Sequence, residues 1–148
     1  MDRVEQGFDM ETKETVEEEK VIVMEKPRRK PYAVWEVSGQ EYKLKLTAAV
    51  ICKLEAKYGK NLLNLLTEDG LPPIGVMLTV VQASMQLYNH GVTFLKVQDL
   101  YDQYIAGGAD QTQFYADVLM PLLAVSGFFT PTQAEILTEE IKSIDSSL

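Results

Sequence analysis

Residues 32–59 read YAVWEVSGQEYKLKLTAAVICKLEAKYG, and this stretch contains the change of pattern that decides the fold. Its first half, over 32–46, alternates apolar and polar residues on either side of Ser38-Gly39-Gln40. That alternation predicts a β-hairpin with a short glycine-containing loop. Because a lone hairpin is only marginally stable in water, we expect its apolar face to pack on the helices that follow.

After Leu46 the apolar period changes from two to between three and four. Thr47 is a suitable N-cap for a helix, and Gly59 is a suitable left-handed stop. The apolar residues between them recur at helical spacing and predict a core-facing stripe. They are Val50, Ile51, Leu54 and Tyr58.

The rest of the chain continues this helical pattern and sets the predicted fold class. We expect a fold that is mainly α with a small N-terminal β-hairpin (α+β), built as a compact bundle of about five to six short helices. The most apolar of them is predicted to be central, Pro121 is predicted to kink the fifth, and Thr130-Pro131-Thr132-Gln133 is predicted to start the last through a capping box. The expected helices after the first cover 61–66, 74–89, 93–105, 110–126 and 130–146.

The chain divides into an N-terminal arm over 1–31 and a single globular domain over 32–148. Residues 1–30 carry nine acidic and seven basic residues but little apolar surface to offset the entropy of ordering, so we expect a flexible arm. Its one apolar cluster, at 21–24, is a candidate late-forming strand. Within the domain, the hairpin covers 32–46, helices cover 47–129, and an amphipathic C-terminal helix covers 130–146.

Composition favours an intracellular protein that binds neither nucleic acid nor a membrane. The net charge of −8 opposes contact with a phosphate backbone. The single cysteine cannot form an internal disulfide, which agrees with a reducing cytoplasm. The N-terminus is charged where a signal peptide would be apolar, and no apolar run approaches the ~20 residues of a membrane span.

The basic residues do not form a nucleic-acid site either. Arg28-Arg29-Lys30 is the only dense basic run, and we interpret it as solvated linker, with contact to an anionic surface as the alternative. A helix-turn-helix interpretation would make 93–105 the recognition helix, with Lys96 as its only base.

We expect no catalytic, cofactor or metal site. His90 is the only histidine and follows a predicted helix, where it can interact with the terminal carbonyls. Cys52 lies among apolar neighbours with no histidine nearby in sequence, so we predict a small buried thiol rather than a nucleophile. The glycine-containing segments lack the Gly-Lys-Ser/Thr of a phosphate-binding loop. The protein is therefore predicted not to be an enzyme.

The last helix carries the best candidate for protein contact. Its apolar residues form a narrow stripe at three- and four-residue steps, here named the C-terminal seam: Ala134, Leu137, Ile141, Ile144 and Leu148. A stripe that narrow is typical of a helix that binds a groove or a coiled-coil partner. The alternative is that it packs on its own core. The predicted partner-binding residues are Tyr101, Tyr104, Leu137, Ile141 and Ile144.

From Trp35 to Phe129, the order of features resembles the tail assembly chaperones of long-tailed, siphovirus-type bacteriophages of Gram-positive bacteria. Four segments carry the resemblance: 42–47 (YKLKLT), 54–63 (LEAKYGKNLL), 88–93 (YNHGVT) and 125–129 (VSGFF). Their residues are suited to capping, turns and packing rather than to catalysis. The charged arm ahead of the hairpin has no counterpart in the family pattern.

The resemblance implies a non-enzymatic helper that binds the tape measure protein while tail tube subunits assemble around it. The tail tube protein is a second candidate partner, and self-association stays open. The expected location is the cytoplasm of the bacterial host, with the protein absent from the mature virion. A programmed frameshift near Gly127-Phe128-Phe129 or nearer the stop codon is a further expectation.

Two other classes of function remain as alternatives. One is a structural virion component, such as a connector or tail-completion protein, which would be retained in purified particles. The other is a small acidic inhibitor or regulator of a host protein.

Overall fold

The fold is a β-hairpin followed by six helices, as seen in a computed structural model that describes residues 28–147 except for the side chains of Thr138 and 141–147. The predicted α+β class is therefore confirmed. Most of the predicted arm, including the candidate strand at 21–24, lies outside the described residues.

The hairpin consists of β1 (Ala33–Val37) and β2 (Gln40–Leu44), paired antiparallel with Trp35 opposite Tyr42. Its loop is one residue shorter than predicted, because Gln40 pairs with Val37. The two remaining loop residues, Ser38 and Gly39, have φ values of 54° and 81°. Positive φ at both positions is what a type I′ turn requires, and this turn matches the twist of the strands.

The first four helices begin at side-chain caps, except the third, which follows Pro73 without one. They are α1 (Ala48–Tyr58), α2 (Leu62–Thr67), α3 (Ile74–Met85) and α4 (Phe94–Ala106). Thr47 accepts a hydrogen bond from the Val50 N–H, and Thr93 accepts one from the Lys96 N–H, as an N-cap does. Gly59 ends α1 in the left-handed conformation, as predicted.

Helix α3 ends earlier than predicted, at Met85 instead of Asn89. The Gln86 side chain donates to the Val92 carbonyl at 3.0 Å and accepts from the Gly91 N–H at 3.1 Å. These bonds fold the following residues into a loop. His90, which was predicted to interact with the terminal carbonyls of this helix, is exposed in that loop.

Helix α5 runs over 111–125 and changes its winding along the way. Gln111–Phe114 is α-helical, Tyr115–Leu119 is π-helical and Met120–Val125 is α-helical again. The Met120 N–H donates to the Tyr115 carbonyl, five residues earlier. The π turn thus lies where the Pro121 kink was predicted. It places the proline in the first turn of a new α-helical segment, where a backbone N–H is not needed.

The core lies between the inner face of the hairpin and helices α3, α4 and α5. Helix α3 packs against α1, α4 and β2, which confirms it as the central helix. Strand β1 packs against α4 and α5. The hairpin, α3, α4 and α5 each contribute to the largest fully buried side chains, which include Trp35, Leu44, Met77, Leu100, Phe114 and Leu122.

Helix α6 (Pro131–Ser147) follows and packs against the Met120–Val125 segment of α5. Its predicted capping box is present: the Gln133 N–H donates to Thr130 Oγ1 at 3.1 Å, and the Thr130 N–H donates to Gln133 Oε1 at 3.0 Å. Within residues 28–147, none of the helices has the length and apolar character needed to cross a membrane.

Candidate partner-binding site

The structure places the five predicted partner-binding residues on two different helices. Tyr101 and Tyr104 lie on α4, whereas Leu137, Ile141 and Ile144 lie on α6. The side chains of Ile141 and Ile144 are outside the described set. The two groups therefore have to be considered separately.

The two tyrosines belong to an aromatic cluster with Trp35 and Phe114. The Tyr101 and Phe114 ring centroids are 5.0 Å apart, and the Tyr104 ring lies 5.8 Å from each of Trp35 and Phe114. Their planes are near-perpendicular or tilted, an arrangement that aromatic rings favour in packing. These rings attach α4 to the hairpin and α5, and both tyrosines remain partly exposed at the edge of the cluster.

Burial and nearby acids keep both tyrosine hydroxyls protonated. Burial raises the pKa of Tyr104 to about 12, and Asp117 and Asp110 add to the effect. Burial also raises the pKa of Tyr101, with further contributions from Asp110 and Asp102. A neutral hydroxyl can donate a hydrogen bond to a partner.

The described part of the C-terminal seam is only partly covered by the rest of the protein. Ala134 and Leu137, whose side chains are described, are both half-buried, and Leu137 packs against the core. The neighbouring Ile136 is 53% exposed. Its exposure was not predicted, because the seam was defined by spacing alone. Helix α6 therefore has accessible apolar surface in its first half.

A groove of about 320 Å³ lies where α5 ends and α6 begins. Its walls are small or charged: Arg28, Arg29, Lys30, Pro121, Ala124, Val125, Pro131, Ala134, Glu135 and Glu139. Ala134, the first residue of the C-terminal seam, lines this groove together with the basic run. The start of the seam thus faces the segment that leads into β1.

The basic run is not simply solvated linker, so that interpretation is wrong for Arg29. Arg29 Nη1 donates to the Ala124 carbonyl at 2.8 Å and also to the Phe129 carbonyl. A cation at the end of a helix satisfies carbonyls that have no partner in the helix. Sequence reasoning missed this contact because the bonded residues are 95 and 100 positions away.

The predictions for the single cysteine and for metal ligands can be compared with the described residues. Cys52 is exposed on α1, which corrects the predicted buried thiol: the helix turns its half-buried Ile51 and buried Leu54 inward, and Cys52 falls on another face. Among the described residues, no group of three or more His, Cys, Asp or Glu side chains could hold a metal ion. The best-formed candidate site is therefore the apolar and charged surface around α6.

Comparison with known proteins gives one family and no individual relative. No curated protein matches the chain significantly, and no solved structure does so. One protein-family model matches residues 29–147, which run from the Arg29 contact through the hairpin to the end of α6. The chain belongs to this family, which is described as "Family of unknown function (DUF6096)".

Proposed function

We propose that this chain is a non-enzymatic tail assembly chaperone of a long-tailed bacteriophage or prophage, and that it binds the tape measure protein through α6. The order of features from Trp35 to Phe129 supports this assignment. The four segments that resemble the chaperone family supply caps, turns and packing residues of the fold, such as Thr47, Gly59 and Thr93.

The single observation that carries the proposal is that the two described members of the C-terminal seam, Ala134 and Leu137, are only half-buried. The middle of the corresponding stripe on α4 is fully covered, with Val97 at 0% and Leu100 at 1% exposure, and its edge residues are partly exposed. Helix α6 instead leaves Leu137 only half-buried and the neighbouring Ile136 53% exposed. A helix with a capped start and an accessible apolar stripe is suited to pack along a helical client such as a tape measure protein.

The expected strength of that contact suits a chaperone. Each large apolar side chain that α6 buries against a client contributes roughly 1.5–3 kcal/mol before the cost of association is subtracted. A few such residues support reversible capture. The net charge of −8 keeps the free protein soluble in the host cytoplasm, the proposed site of action.

Coexpression with the tape measure protein from the same gene cluster tests the proposal. The double variant Leu137→Asp plus Ile141→Asp places two carboxylates in the seam, and we expect it to abolish pull-down of the tape measure protein and to return that protein to the insoluble fraction. The matched control is Leu95→Asp. It makes the same change at a leucine on α4 that is 77% exposed, and we expect it to leave both readouts unchanged.

Two results would contradict the proposal. Unchanged pull-down by the double variant would remove α6 as the binding site. Retention of the wild-type protein in purified phage particles would favour a structural virion component, because a chaperone is expected to be absent from them.

A further inference from the structure

Residues 126–130 connect α5 to α6 and are here named the hinge. Hydrogen bonds fix its first half to the rest of the protein. The Leu46 N–H, just after β2, donates to Ser126 Oγ at 2.9 Å, and the Phe128 N–H donates to the Leu123 carbonyl at 3.2 Å. Between these two ties lies Gly127, with a φ of +99° that other residues rarely adopt. The chain then reaches Thr130 and α6.

Arg29 connects the two sides of this hinge. Its guanidinium bonds the carbonyl of Ala124, in the last turn of α5, and the carbonyl of Phe129, immediately before the cap of α6. The same side chain comes from the segment that enters β1. One residue therefore joins the start of the domain, the end of α5 and the start of α6.

Neither of the two carbonyls that Arg29 bonds accepts the helical hydrogen bond from the N–H four residues later. The Phe128 N–H, which could have reached Ala124, goes to Leu123, and the Gln133 N–H, which could have reached Phe129, goes to Thr130 Oγ1. Arg29 is thus positioned to satisfy two orphan acceptors with charge-assisted hydrogen bonds, which are stronger than neutral ones.

We propose that Arg29 is a clamp that holds α6 against the body and keeps the start of the C-terminal seam covered. The groove beside it supports this role, because Ala134 of the seam lines the same space as Arg28, Arg29 and Lys30. Opening the clamp lets α6 move about the 126–130 hinge and uncovers the seam. The link to client binding rests on the proposed function, but the clamp itself does not.

The clamp can be tested on the free protein with two spin labels. The native Cys52 is exposed on α1, and Ile136→Cys adds a second exposed thiol on α6. We expect Arg29→Ala to broaden and shift the distribution of distances between the labels, measured by pulsed electron paramagnetic resonance. Arg28→Ala is the matched control, and Arg29→Lys, which keeps the charge, should give an intermediate distribution.

Hydrogen exchange supplies a second readout without labels. Backbone amides at 133–137 should exchange at least about tenfold faster in Arg29→Ala, the factor expected for losing one of its two charged hydrogen bonds. Amides of α3 and the urea midpoint reported by Trp35 fluorescence should stay as in the wild type. Unchanged distances and exchange would overturn the clamp. A lower urea midpoint in Arg29→Ala would also overturn the clamp, because a clamp at the hinge should affect α6 alone.

The clamp and the proposed function can fail independently. If Arg29→Ala frees α6 but does not increase capture of the tape measure protein, the clamp stands and the client assignment fails. If Arg29→Ala captures more tape measure protein while α6 remains fixed, the clamp fails and the client assignment stands.

Discussion

Helices α4 and α6 start in the same way but are packed differently. Each begins after an exposed threonine whose hydroxyl accepts an N–H bond at 3.1 Å, Thr93 in α4 and Thr130 in α6. Each has a stripe of apolar residues at helical spacing. In α4 the middle of the stripe, Val97 and Leu100, is completely buried, whereas in α6 the first two members, Ala134 and Leu137, are half-buried.

The difference arises from what faces each helix. The surroundings of α4 include β1, α3 and the ring of Phe114. The main packing of α6 among the described residues is against a six-residue segment of α5, Met120–Val125. Amphipathic spacing shows which side of a helix will pack, but the rest of the chain decides how much of that side is covered. The uncovered part is what we assign to a partner.

The largest expected effect is on the free energy of unfolding when one leucine of each stripe is truncated to alanine. Leu100→Ala in α4 should lower the free energy of unfolding by about 2–5 kcal/mol, because it leaves a cavity in a closed core. The matched change in α6, Leu137→Ala, should cost less than about 1 kcal/mol, since solvent already reaches that side chain. Urea unfolding followed by Trp35 fluorescence measures both. Equal losses would show that α6 is ordinary core.

A second effect on the free energy of unfolding should appear at high pH, because α4 carries Tyr104 inside an aromatic cluster. The pKa of Tyr104 is raised from 10.0 to about 12, so between these values the unfolded chain loses the proton that the folded chain keeps. The free energy of unfolding should therefore fall as the pH rises through that range. Tyr104→Phe should make the fall shallower. Urea midpoints at about pH 8 and about pH 11 measure this, and an unchanged fall would contradict the burial of Tyr104.

The smallest expected effect on the free energy of unfolding comes from removing the N-cap hydroxyls of α4 and α6. Thr93→Ala should lower the free energy of unfolding by about 1 kcal/mol, because α4 unfolds with the core. Thr130→Ala removes the same kind of bond but should leave the urea midpoint within experimental error and only reduce the helix content of α6. Circular dichroism at 222 nm alongside Trp35 fluorescence distinguishes the two outcomes. A shift of the midpoint by Thr130→Ala would place α6 within the cooperative core.

Features that depend on a few neighbouring residues could be predicted from the sequence. The caps at Thr47, Thr93 and Thr130 were predicted correctly, since the bonding partners lie three residues away. The apolar run of α3 likewise revealed the central helix. These signals are local and require no knowledge of the tertiary arrangement.

Features that depend on distant residues could not be predicted. Arg29 bonds to carbonyls about a hundred positions away, and no local pattern marks those acceptors. Cys52 was predicted to be buried from its apolar neighbours, although the direction of a side chain around the helix decides its exposure. The π turn before Pro121 was predicted only as a kink, because a proline shows that the ladder changes without showing how. For the candidate site, the residues of the seam were predicted, but the partial solvent exposure of Ala134 and Leu137 was not.

The most direct test of the account is hydrogen exchange of the wild-type chain with and without the tape measure protein. In the free protein, we predict that the amides of α6 exchange faster than those of α4. In the complex, we predict new protection confined to 131–147 and no change in α4. Protection of α4 without α6, or no protection anywhere in the chain, would contradict the claim that α6 binds the client.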